Sequence, residues 1–200
     1  MPASQDADAS PADRPDTAER ILDCAQERIQ QRGYNAVSYG DLAEELDLTT
    51  AAIHYHFPSK VDLVQTLVRR YRQRVAEKQR AIQAEHERLR ARLEQYADLY
   101  MDLMTSGGLC LCGVLSSDAP TLPPEVRDEV RGVFADQEDW LADIIDQGTS
   151  APIPLHGCET AREAAELVLA TIQGATLTTP HRDPSAYRQR LQHLIDSIVA

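Results

Sequence analysis

From Lys60 to Ser106 the chain runs 47 residues without a glycine or a proline. A strand-and-turn architecture does not fit such a stretch, because strands are short and the turns between them draw on glycine and proline. Within it Leu89, Leu93, Tyr96, Tyr100 and Leu103 recur at helical spacing. A single globular helix is rarely this long, so a break is expected at the polar stretches 77–80 or 83–87. No alternating strand pattern occurs elsewhere, and the chain is expected to be all-α, with eight to ten helices and no internal repeat.

Cap signals divide the remainder. Asp16 with Glu19 opens a helix that carries Ile21, Leu22, Ala25 and Ile29 and ends at Gly33. Ser38 with Asp41 opens a second, Thr49 caps a short third that Pro58 ends, and Ser59 with Asp62 opens a fourth. Further on, helices are expected over about 84–105, 124–147, 160–177 and 183–198, with Asp183 before Pro184 starting the last. Residues 109–117 form a short apolar element of undecided type. Residues 1–16 hold one large apolar side chain, Met1, and are expected to form a disordered tail.

The net charge of −12 counts against a nucleic-acid partner only when averaged. Residues 17–80 hold ten basic against nine acidic side chains, whereas residues 81–200 hold nine against nineteen. No stretch approaches the ~20 apolar residues of a spanning helix, and the acidic start lacks a signal-peptide pattern, so a cytoplasmic protein with no membrane contact is expected. Its four cysteines, at positions 24, 110, 112 and 158, are then free thiols.

Three short helices in residues 17–57, the last two joined by a tight turn, match a helix-turn-helix unit. The run from Ile21 to Leu63, ILDCAQERIQQRGYNAVSYGDLAEELDLTTAAIHYHFPSKVDL, resembles the N-terminal domain of TetR-type bacterial transcriptional regulators, down to the ending His-Phe-Pro-Ser-Lys. The resemblance implies a DNA-binding domain over 17–63 and a helical regulatory and dimerisation domain over 64–200. It implies that Thr49, Thr50, Ala51, His54 and Tyr55 face the groove of double-stranded operator DNA or its flanking phosphates. Ser38 and Lys60, at the starts of helices 2 and 4, suit backbone oxygens, although Ser38 and Thr49 would also act as caps in the absence of DNA. Asp47 stands where the family's turn glycine is usual, Thr50 where lysine is frequent, and His54 where tyrosine is frequent. His54 and His56 do not read as a metal pair, since positions two apart on a helix diverge.

A second feature is Leu109-Cys110-Leu111-Cys112-Gly113, directly after Gly107-Gly108. Thiols in the first turn of a helix starting at Leu109 would be stabilised as thiolates. Residues 111–124 resemble the sensing region of the electrophile-responsive repressors of N-ethylmaleimide reductase type, with Cys112 at the matching place. The same thiols in an apolar run also suit plain packing. A Cys110–Cys112 bridge is disfavoured by helical geometry, and Cys110, Cys112, Cys158 and His156 lack zinc spacing, so no metal or other cofactor is expected.

Taken with the resemblance, these features point to a repressor released from its operator by electrophiles or oxidants at Cys112, with Cys110. The alternative is release by a reversible apolar ligand in a pocket lined by Tyr96, Tyr100, Met104, Phe134 and Trp140. No Ser-His-Asp arrangement, phosphate-cradling glycine loop or HExxH occurs, so an enzyme is not expected. The resemblance implies a homodimer through the apolar stripes of the last two helices, and two half-sites ~34 to 36 Å apart need one.

Overall fold

A computed structural model of the chain describes residues 16–105, 108–149, 157–178 and 184–199. Nine helices form among them, and no strand: α1 Thr17–Arg32, α2 Tyr39–Leu46, α3 Thr50–His56, α4 Lys60–Glu85, α5 Leu89–Thr105, α6 Leu111–Ser117, α7 Pro124–Gly148, α8 Ala161–Thr178 and α9 Pro184–Val199. The protein is all-α, a helix-turn-helix unit followed by a larger helical body. The readings of the tail 1–15, and of Gly107, His156 and Asp183, lie outside the described residues.

The helix starts follow their cap chemistry. Ser38 accepts from the Asp41 amide while Asp41 accepts from the Ser38 amide, and Ser59 and Asp62 repeat the exchange. Thr160 and Glu163 do the same ahead of α8. The Asp16–Glu19 box does not form: Asp16 makes no side-chain cap bond, and the Glu19 carboxylate is taken by Arg70, 2.7 Å away. The charge-assisted bond to arginine outcompetes a backbone amide. The break in the long run falls at His86, the second of the two polar stretches.

One core threads the molecule. Ile21, Leu22 and Ile29 of α1 meet Leu42, Ile53 and Phe57 of the small unit, and Leu63, Leu67 and Val68 carry the same packing along α4. The boundary expected at 63/64 falls inside α4, which runs unbroken from the helix-turn-helix unit into the larger body. There α7 packs along α8 and α4, and α5 along α9. The α9 stripe expected to pair with a second copy is spent within the chain: Tyr187, Leu191, Ile195 and Ile198 are buried, and the Tyr187 hydroxyl donates to Ala97 O of α5 at 2.9 Å.

Candidate nucleic-acid interface and signal chamber

Helices α2 and α3 meet through a turn at Asp47, whose φ of 53° is left-handed. Its amide bonds back to Ala43 O and Glu44 O, closing α2. Thr49 accepts from the Ala52 amide at 3.1 Å and starts α3. Ile53 and Phe57 anchor the helix from below, leaving Thr49, Thr50, Ala51, His54 and Tyr55 on the exposed side. Tyr55 is 84% exposed. His54 is less free: its ring lies 4.6 Å from that of Tyr39, and Nδ1 sits 3.2 Å from Pro58 O. Tyr39 in turn donates to Phe57 O at 2.8 Å, holding the end of α3 to the start of α2.

Positive charge is scarce here. Residues 17–63 hold four basic side chains against eight acidic ones. Arg28 pairs with Glu45, and Arg20 donates to Leu46 O. Lys60 folds inward, donating to Tyr34 O at 2.6 Å with its ammonium 4.1 Å from the Tyr34 ring centre. Burial pulls its pKa down, against the pull of Asp118 and Asp41. Ser38 is exposed but bonded within its capping box. The free donors on this face are therefore largely neutral.

The α1–α2 turn is tied to the far body. The Tyr34 amide donates to the Asp118 carboxylate at 2.7 Å, and Asn35 donates to Thr121 Oγ1 at 2.7 Å. Gly33 makes the approach possible: its φ is +82°, and a Cβ there would stand 2.8 Å from Asp118 Oδ2. At the other end of α6, Gln30 of α1 donates to Leu109 O at 2.5 Å. Helix α6 is thus held to α1 at one end and to the α1–α2 turn at the other.

A chamber of about 480 Å³ opens between α1, α4, α5 and α7. Ligand cavities are commonly of this size. Tyr71, Tyr96, Tyr100 and Gln137 form its polar-tipped floor, with Val75, Leu99 and Leu103 as apolar walls. Gln137 Oε1 accepts from Tyr96 at 2.7 Å and from Tyr100 at 2.6 Å. Burial pushes the phenols of Tyr71, Tyr96 and Tyr100 well above their ordinary pKa, so all three are neutral donors. Arg74, Glu77 and Lys78 also line the chamber. Of the five pocket residues expected, Tyr96 and Tyr100 are on the wall. Met104, Phe134 and Trp140 are not: Trp140 packs behind Tyr96, ring centres 5.2 Å apart, and donates to Gln83 at 2.9 Å. Apolar spacing marks them as inward-facing but does not say which inward faces meet a void.

The thiols do not sit as expected. Helix α6 begins at Leu111, so Cys110 is its N-cap and Cys112 its second residue. Both are buried, Cys112 fully. Burial, followed by the neighbouring Cys110, pushes the Cys112 thiol well above its ordinary pKa, the reverse of the shift expected from the helix start. Desolvation outweighs the dipole of a helix with two turns. Cys110 Sγ lies 3.5 Å from the Tyr71 hydroxyl. Among the described residues no group of three His, Cys, Asp or Glu side chains is placed to hold a metal, and no helix is long and apolar enough to cross a membrane.

The family described as "Bacterial regulatory proteins, tetR family" matches residues 21–67, and "Tetracyclin repressor-like, C-terminal domain" matches residues 85–194. A TetR-family transcriptional regulator from Agrobacterium tumefaciens superposes with a TM-score of 0.85 at 33% identity, over 92% of this chain and 97% of that one. The nucleoid occlusion factor SlmA of Marinobacter nauticus is 26% identical over 162 residues, 80% of this chain and 82% of its own length. Reduced NemR of E. coli shares the fold, with a TM-score of 0.79 at 19% identity over 92% of this chain and 98% of that one.

Proposed function

Because the chain belongs to the TetR family and is a DNA-binding transcriptional regulator, we propose that it is a homodimeric repressor, released from an inverted-repeat operator when a small molecule occupies the chamber between α4, α5 and α7. Residues 17–63 read the operator, with Thr49, Thr50, Ala51, His54 and Tyr55 at the groove and Ser38 at a phosphate. Residues 64–200 dimerise and sense. The observation that carries the reading half is Tyr55: on a helix pinned from below by Ile53 and Phe57, its aromatic side chain is 84% exposed and turned away from the core, its ring meeting that of the adjacent His56 edge-on at 5.3 Å. Lys60 is left out of the phosphate contacts because its ammonium is already held by Tyr34.

Dimerisation falls to α8, helped by the outer face of α9. Leu167, Ala170, Gly174 and Leu177 form an exposed row along α8, opposite the buried Val168, Ile172 and Ala175. Leu167 is 41% and Leu177 56% exposed, an apolar row that suits a second copy. Pairing there supports two recognition helices on one face of a duplex, spaced by ~34 to 36 Å.

The test is fluorescence anisotropy with DNA from upstream of the protein's own gene. Tyr55→Ala is expected to weaken binding at least tenfold with an unchanged melting curve, and a Leu167→Glu, Leu177→Glu pair to yield a monomer that binds more weakly still. Full operator affinity in the Tyr55 variant would refute the interface.

A second reading of the signal keeps the thiols. Cys110 lies outside the chamber lining but touches Tyr71 of its floor, so an adduct at Cys110, or at Cys112 beside it, would disturb that floor. Operator release by quinones, aldehydes or hypochlorite that is unchanged in Cys110→Ser and Cys112→Ser proteins removes this reading.

A further inference from the structure

We infer that the chamber's ligand is an amphipathic carboxylate, an apolar or aromatic body bearing one anionic group, and that its anion acts by drawing Arg74 away from α1. This rests on the chamber being the signal site. The floor offers ring faces and neutral hydroxyls already engaged, those of Tyr96 and Tyr100 with Gln137 and that of Tyr71 with Cys110, and it holds no carboxylate to neutralise a buried cation. Among the described lining residues, charge enters only at Arg74 and, one turn further along α4, at Glu77 and Lys78, where cations outnumber the anion. A ligand seated body-inward against Tyr96, Tyr100, Leu99 and Leu103 leaves its head at this level.

Arg74 is the cation with a consequence. Its guanidinium lies 3.7 Å from Asp23 and 4.0 Å from Glu19 of α1, whereas Arg70 holds the same carboxylates at 2.9 and 2.7 Å. Arg74 is the outer and looser partner, so diverting it leaves both acids paired. A carboxylate in the chamber competes with α1 for an exposed Arg74 whose contacts to α1, at 3.7 and 4.0 Å, are long and correspondingly weak. The exchange removes one of two cations by which α4 holds α1, the helix on which the helix-turn-helix unit is built. Differential binding of that kind shifts the DNA-binding equilibrium.

Three probes with one body and different heads separate the possibilities: 2-naphthylacetate, 2-naphthaleneethanol and 2-(2-naphthyl)ethylammonium. Calorimetric titration of the full-length dimer is expected to rank the acid at least tenfold tighter than the alcohol, with the ammonium weakest. Only the acid should release operator DNA. Lys78→Gln should cost the acid about fivefold and leave the alcohol unchanged, and Arg74→Gln should bind the alcohol normally yet stay on DNA when acid is added. If the three probes bind within twofold of one another, or the ammonium binds best, the carboxylate assignment is overturned while the chamber remains the site. If none binds, or if acid binding is unchanged in a Leu99→Trp, Leu103→Trp protein, which crowds the chamber's apolar wall, the chamber itself is not the site and both conclusions fall.

Discussion

The buried amide of Gln137 offers the sharpest test of the chamber's construction. Its Oε1 receives two hydroxyl hydrogens, from Tyr96 at 2.7 Å and Tyr100 at 2.6 Å, while the two hydroxyls stand 3.2 Å apart. Gln137→Leu preserves much of the volume and removes the acceptor. One tyrosine can then donate to the other, which leaves one buried hydroxyl hydrogen without a partner, and an orphaned donor of this kind costs ~1 to 3 kcal/mol. We expect a loss of about 2 kcal/mol. Tyr96→Phe with Tyr100→Phe orphans the amide oxygen instead and should cost a similar amount. Combining all three changes removes donors and acceptor together, so the triple variant should recover to within about 1 kcal/mol of the native protein, a coupling of about 3 kcal/mol in the cycle. Urea unfolding followed by circular dichroism at a fixed protomer concentration reads these differences. With m near ~2 to 3 kcal/mol/M, the single and double variants should lose about 0.7 to 1 M in midpoint and the triple should regain most of it. Additive losses in the triple variant would refute the shared-acceptor geometry, and a Gln137→Leu protein as stable as the native one would mean that water reaches the chamber floor.

Four further outcomes follow from the geometry. Asp47→Gly relieves about 1 kcal/mol of left-handed strain against ~0.4 to 1 kcal/mol of added unfolded-state freedom, so thermal stability should stay within about 0.5 kcal/mol. Operator affinity should rise, more at 50 mM than at 300 mM salt, and an anisotropy titration without that gain would show that Asp47 does not face the DNA. Gly33→Ala forces a Cβ to 2.8 Å from Asp118 at a φ of +82°, so calorimetry should show a loss of at least ~1 kcal/mol; an unchanged melt would refute the Gly33–Asp118 packing. Thiol labelling at neutral pH should modify Cys158 first, because Cys24, Cys110 and Cys112 are buried. Burial, then Glu45, raises the Cys24 thiol from its ordinary value near 9 to about 11. The native state thus keeps a proton that the unfolded state releases, and alkaline melts should show stability falling as pH rises from 9 to 11, less so in Cys24→Ala.

What could be read from residues alone was whatever depends on local chemistry. Ser38, Thr49, Ser59 and Thr160 all stand as caps because the partner three residues on belongs to the same segment. Asp16 failed for the converse reason, since Glu19 finds Arg70, fifty-one residues away. The helix-turn-helix unit was legible through a contiguous motif, but the inward turn of Lys60 depends on Tyr34, which no spacing rule connects to it. Burial of the thiols is likewise non-local: the helix start favours a thiolate, and the helices packed over it cancel the effect. The chamber was half found. Tyr71 and Gln137 are central to its floor, yet each reads in sequence as one more residue on a long helix.

On the proposed reading, a molecule on that floor would be felt at Tyr55 through two helices. Helix α4 carries Tyr71, Arg74 and Lys78 at the chamber and begins at Lys60, whose ammonium holds Tyr34 O. Helix α6 is preceded by its N-cap Cys110, in contact with Tyr71, and is followed by Asp118, which takes the Tyr34 amide. Both routes converge on one residue in the α1–α2 turn, whose amide and carbonyl are gripped by different helices. A relative shift of α4 against α6 cannot leave both bonds at 2.6 and 2.7 Å, so Tyr34 must follow one helix and lose the other. A bond to a charged group is worth ~1.5 to 3 kcal/mol, whereas turning a population from 99:1 to 1:99 takes about 5.5 kcal/mol. One broken grip per protomer, doubled in a symmetric dimer, comes within reach of that figure. On the proposed reading, the twofold assembly would do more than span two half-sites: it would sum two modest local exchanges into a decisive change of DNA occupancy.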